Sequence, residues 1–162
     1  MIDKLKDILS TQLKLMGELL ALLERETSEL LGVNLDALAE INVLKESTTE
    51  RINEHTAPLR QTVSEVAANA DLPSNANLVE VITYLGKQGY KEIPRLYQDL
   101  NTQAKQVRHV AALNQDIAER SVSMVQITLF ILEQLLEQAI TYGASGSFQQ
   151  WQAEGIIINN DV

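Results

Sequence analysis

The side chains best equipped for chemistry are few and badly spaced for it. His55 and His109 lie far apart in the chain, with no metal-ligand spacing around either. Cysteine is absent, which excludes disulfides and thiolate metal sites. Carboxylate pairs such as Glu24 and Glu26 are of a type suited to general acid–base work. They fall in helical segments that also carry Lys and Arg, where a solvated charged face accounts for them. No phosphate loop, Gly-x-Gly-x-x-Gly run or Gly-x-Ser-x-Gly elbow occurs. The expectation is a protein that is not an enzyme, with no catalytic residue, no metal site and no cofactor.

What the sequence concentrates instead is apolar surface. Val122, Val125, Leu129, Leu132 and Leu136 form a row at helical spacing, and Ile127 and Phe130 lie on the opposite flank. At about 100° per residue, only a strip through Gln126, Glu133 and Glu137 stays polar. One partner helix cannot cover such a belt. Either it is buried among three or more helices of its own bundle, or it is an open face for an amphipathic partner. Further on, Phe148, Trp151, Ile156, Ile157 and Ile158 are large apolar groups without a period. They either dock back onto the bundle or form an arm that folds on binding.

The elements that must position this belt read as helices. Ile2, Leu5, Leu9, Leu13, Met16, Leu20, Leu23 and Leu30 recur at three- and four-residue steps, predicting a first helix from Asp3 to about Leu31. Asp3 is expected to cap it, and Gly32 with Asn34 to end it. A second helix from about Asp36 follows Leu38, Ile41, Ile52, Leu59, Val63 and Val66, with a kink expected near His55 to Pro58. The short connection predicts an antiparallel hairpin. Pro73, Ser74 and Asn75 mark a turn, and Asn77 with Glu80 reads as a capping box for a short helix, Leu78 to Leu85, that ends at Gly86 or Gly89. From Ile93 a seam runs through Leu96, Leu100, Gln103, Val107, Val110, Asn114, Ile117, Ser121, Met124, Thr128, Ile131, Leu135, Gln138 and Tyr142. It predicts a third long helix of roughly 70 Å. Among its polar members, Asn114 is the best placed to fix register. Gly143 in "TYGASG" is a natural stop for this helix. The expected fold is all-α: an elongated antiparallel helical bundle or coiled-coil hairpin of three long helices plus one short helix over 1–141, with 142–162 as a separate tail.

Bulk properties narrow the setting. The 162 residues are 45% hydrophobic but only 4% aromatic, a bias toward helix rather than a β-sandwich. A net charge of -9, with 13 basic against 22 acidic residues, argues against a nucleic-acid surface. The charge-free run from Ser121 to Leu132 is too short to span a bilayer, which takes about twenty residues, and the charged N-terminus is not a signal peptide. A cytoplasmic protein without stable membrane insertion is expected.

Three stretches resemble a known family. "LLERETSELLGVNLDALAEINVLKESTTERI" is similar to the N-terminal half of the FlgN-type flagellar export chaperones, with Glu26 in the first helix and Lys45 in the second. "LNQDIAERSVSMVQITLFIL" is similar to their long C-terminal helix, starting at Asn114. "YGASG" resembles their Tyr-Gly-x-x-Gly stretch beyond it. The resemblance implies a type III export chaperone that binds the C-terminal helical segments of hook–filament junction proteins and delivers them to the export gate. It implies that the C-terminal half holds the client, through Val122, Val125, Ile127, Leu129, Phe130, Leu132 and Leu136 with Trp151, Ile156, Ile157 and Ile158. It further implies that Tyr142 contacts the cytoplasmic domain of the gate protein. The alternative expectation is a structural coiled-coil module that self-associates through the seam as a homo-oligomer.

Overall fold

Leucine at three- and four-residue steps produces what the spacing predicts. The computed structural model describes residues 1–73 and 75–141, with side chains through Leu135. It contains helices α1 (Ile2–Gly32), α2 (Leu35–Glu54), α3 (Thr56–Asn69), α4 (Leu78–Lys87) and α5 (Glu92–Thr141), and no strand among the described residues. The chain falls into two units, Met1–Glu119 and Arg120–Val162.

In the first unit α1 and α2 are antiparallel. Arg25 pairs with Glu40 and Glu26 with Lys45 near the end of α1, whereas Arg51, further along α2, pairs back with Glu18, so the two helices run in opposite directions. The first part of α5 runs parallel to α1, since Lys6 pairs with Glu92 and Thr27 bonds Asn114. The main core joins Leu5 and Leu9 of α1, Val63, Val66 and Ala67 of α3, Val81, Ile82 and Leu85 of α4, and Ile93 and Leu100 of α5. The short helix α4 is therefore a core element. Its capping box forms as the sequence predicts: the Asn77 side chain accepts from the Glu80 N–H, and Glu80 accepts from the Asn77 N–H.

The fold is all-α, but the chain does not make three uninterrupted long helices. The expected disturbance is present as a one-residue interruption at His55, which ends α2 and precedes α3. Pro58 sits in the first turn of α3, where its missing N–H leaves the Glu54 carbonyl without a helical donor. Asp3 does not cap α1. The N-cap is Met1, without a side-chain bond, and Asp3 lies in the first turn, where its charge still suits the helix dipole.

The exposed Lys6–Glu92 pair joins the starts of α1 and α5. Their hydrogen bond first, and their charge attraction second, lower the Glu92 carboxyl pKa and raise that of Lys6. The small contribution of such a solvated pair is complete between the ordinary values of 4.5 and 10.5. It is lost as pH falls through the lowered Glu92 value or rises through the raised Lys6 value.

Three helices end in the same closure. The amides of Asn34, Leu72 and Tyr90 reach back to the carbonyls of Glu29, Ala67 and Leu85. Each closure needs one left-handed residue, and these are Val33 (φ 53), Asp71 (φ 51) and Gly89 (φ 97). Only the last is a glycine. The expected stop at Gly32 is displaced by one: Gly32 stays helical, and Val33, a β-branched residue, takes the strained position, while Asn34 caps α2 by accepting from the Ala37 N–H. Val33 is largely exposed, so its side chain gains little to offset the strain. Val33→Gly is expected to raise unfolding stability by about 1 kcal/mol, read from urea denaturation. An unchanged or lowered midpoint would show that Val33 is not strained.

Candidate functional site

Two features stand out, one buried in the first unit and one open in the second. The buried one centres on Asn114, a polar residue in an apolar seam. The α5 turn that carries it faces α1, so the Asn114 amide donates to the Leu23 carbonyl at 2.8 Å and to Glu26 Oε2 at 2.9 Å. The single hydroxyl proton of Thr27 lies between two acceptors, Asn114 Oδ1 at 2.5 Å and the Leu23 carbonyl at 3.0 Å. Lys45 Nζ of α2 donates to Glu26 Oε1 at 2.5 Å. Asn114 is buried, and the Lys45 and Glu26 side chains are only 22% and 13% exposed. One network thus joins α1, α2 and α5, and its charges are paired.

Beside it, α1 and α5 flank a shallow cleft of about 410 Å³ lined by Leu20, Glu24, Lys105, Gln106, His109 and Val110. Glu24 and His109, distant in sequence, both line this cleft, and both are exposed. No group of three potential metal ligands exists among the described residues. His55 is half-buried where α2 gives way to α3, and His109 is exposed.

The second unit presents the apolar belt. Val122, Met124, Val125, Ile127, Leu129, Phe130, Ile131, Leu132 and Leu135 are all exposed, from 47% at Leu129 to 70% at Met124. The seam itself changes character along α5. Ile93, Leu100 and Asn114 are buried and the seam stays covered or half-covered through Ser121, whereas from Met124 to Leu135 it is exposed. Burial among helices of the same chain is therefore not what the described residues show; the belt is open. The side chain of Leu136, together with Tyr142, Phe148, Trp151, Ile156, Ile157 and Ile158, lies outside the described residues.

Fold and surface together define a class: a small all-α protein whose open feature is a helical apolar face rather than a reaction centre. The model of the FlgN protein family matches residues 1–150, and the chain belongs to that family. No curated protein and no solved structure matches it. FlgN proteins are non-catalytic chaperones of flagellar type III export, which gives this chain a general chaperone role. No described helix is long and apolar enough to cross a membrane.

Sequence spacing finds the belt and picks out Asn114, but not its partners. Lys45 enters only through the family resemblance, and Glu26 otherwise only as one of a carboxylate pair. The signal available is an Asn at a seam position, which requires polar groups on the helix it faces. Asn114→Ala leaves Glu26 and the Leu23 carbonyl short of a donor and is expected to cost about 2 kcal/mol. Lys45→Met leaves Glu26 without its cation and is expected to cost about 2–3 kcal/mol. Chemical denaturation of the two single variants and the double variant should give a non-additive cycle. Additive losses would show that the two residues act separately.

Proposed function

We propose that the chain is a cytoplasmic export chaperone that holds the C-terminal helical segment of a hook–filament junction protein on the α5 belt. The observation that carries this is the exposure of nine large apolar side chains within one stretch of helix. A free amphipathic terminal helix exposes a stripe of Leu, Ile and Val that promotes aggregation. Laying that stripe against Val122, Val125, Leu129, Leu132 and Leu136, with Ile127 and Phe130 at its flank, removes both surfaces from water. Trp151, Ile156, Ile157 and Ile158 contribute further apolar groups to client binding. The client is released by exchange of one helical surface for another, so no covalent step is involved. Tyr142, at the end of the seam, contacts the cytoplasmic domain of the export-gate protein. The net charge of -9 favours basic surfaces on partners and disfavours nucleic acid.

Self-association through the whole seam fits the burial pattern less well. Ile93, Leu100 and Asn114 are already used within the chain, so a second copy could take those positions only by displacing α1.

Co-expression with each junction protein is expected to yield a soluble complex. Leu129→Asp combined with Leu132→Asp should weaken it by at least tenfold in titration calorimetry, since each change puts a charge into an apolar contact. A soluble complex of undiminished affinity would place the client elsewhere. Failure of every junction protein to form a complex would remove the client assignment. Tyr142→Ala is expected to weaken pull-down of the gate domain while leaving helix content and client affinity unchanged. Equal loss of both would make Tyr142 structural.

A further inference from the structure

We propose that the outward face of α2 docks a further protein partner, a helix with an apolar run at one end and Lys or Arg at the other. At about 100° per residue, Leu35, Ala39 and Val43 fall within one sector of about 80°, along a line about 12 Å long. All three are exposed, Leu35 at 72% and Val43 at 66%. Ile41 and Thr48, the buried residues of α2, lie on the opposite side of the helix. Val33, the left-handed residue of the preceding turn, is exposed as well. Contact with a partner is a use for a strained side chain that the fold leaves in water.

Charge decides the occupant. Further along α2 the same sector continues into Glu46 and Glu50, with Asp36 and Glu54 at its edge, and all four are exposed. No Lys or Arg shares it. Lys45 and Arg51, the only bases of α2, reach back to Glu26 and Glu18 of α1. No cation pairs with the four carboxylates among the described residues. An anionic lipid surface would be repelled. A second copy is a poor match. Two such faces laid antiparallel would set Leu35 on Glu54, Ala39 on Glu50 and Val43 on Glu46, each an apolar group against a charge. Laid parallel, they would set carboxylate on carboxylate. A basic amphipathic helix suits both halves: Leu or Ile covers Leu35, Ala39 and Val43, and Lys or Arg meets the carboxylates. The face belongs to the first unit, on residues that client and gate binding do not use, so it stands whether or not the client reading holds.

The probe is a fluorescein-labelled helical peptide with Leu along one half of its face and Lys along the other, compared with a peptide carrying Glu in place of Lys. Fluorescence anisotropy with the full-length protein is expected to show binding of the Lys peptide alone, weakening as salt is added. Leu35→Ser/Val43→Ser and Glu46→Lys/Glu50→Lys should each weaken it by roughly tenfold or more. Leu129→Asp/Leu132→Asp should leave it unchanged. All four α2 positions are exposed, so circular dichroism and urea midpoints of the α2 variants should stay near those of the wild type. If one variant loses its helix, the other is read alone. Absence of binding, equal binding of the Glu peptide, undiminished affinity in the α2 variants, or loss in the belt variant overturns the proposal. So does binding of the wild-type chain to anionic phospholipid vesicles through this face, or a dimer in sedimentation that Leu35→Ser/Val43→Ser dissolves, since either gives the face another occupant.

Discussion

Everything in the first unit is arranged around one polar residue in an apolar seam. Asn114 enters a buried layer where its amide must find partners or destabilise the fold. It finds them on α1, at the Leu23 carbonyl, Glu26 and Thr27, and Lys45 of α2 completes the charge balance of Glu26. A slip of α5 by one helical turn would strand Asn114 against hydrocarbon and leave Glu26 half-paired. Apolar neighbours such as Leu9 and Leu100 tolerate slippage, because one leucine packs on another in several registers. The network supplies the discrimination that the leucines lack.

That fixed register gives α5 two different uses for one pattern. Up to Ser121 its seam is covered by the chain itself. From Val122 the same three- and four-residue steps continue, but every large apolar residue through Leu135 is exposed. A helix with apolar groups on most sides is ordinarily a buried one. An open helix of this kind is suited to trade water for another helix.

Much of this is legible in the amino-acid sequence. The heptad steps locate α5, the Asn77–Glu80 pair locates α4, and angular spacing locates the belt. Other features escape for physical reasons. A proline signals a disturbance but not whether a helix bends or breaks, so the split at His55 requires the geometry. Val33 escapes because a glycine beside it is the better candidate for a left-handed residue. The core role of α4 depends on Val81, Ile82 and Leu85 meeting residues from three other helices, a tertiary fact that no local pattern encodes. Openness of the belt is undecidable from sequence, since identical spacing serves a buried helix and an exposed one.

The central claim is that the belt, and not the first unit, receives the client. Hydrogen–deuterium exchange with and without the C-terminal segment of a junction protein tests it most directly, because it reads every stretch of backbone at once. The account predicts that added segment slows exchange across residues 122–135 and leaves α1, α2 and the α5 amides around Asn114 unchanged. Protection confined to Met1–Glu119, with residues 122–135 exchanging as fast as before, would contradict it.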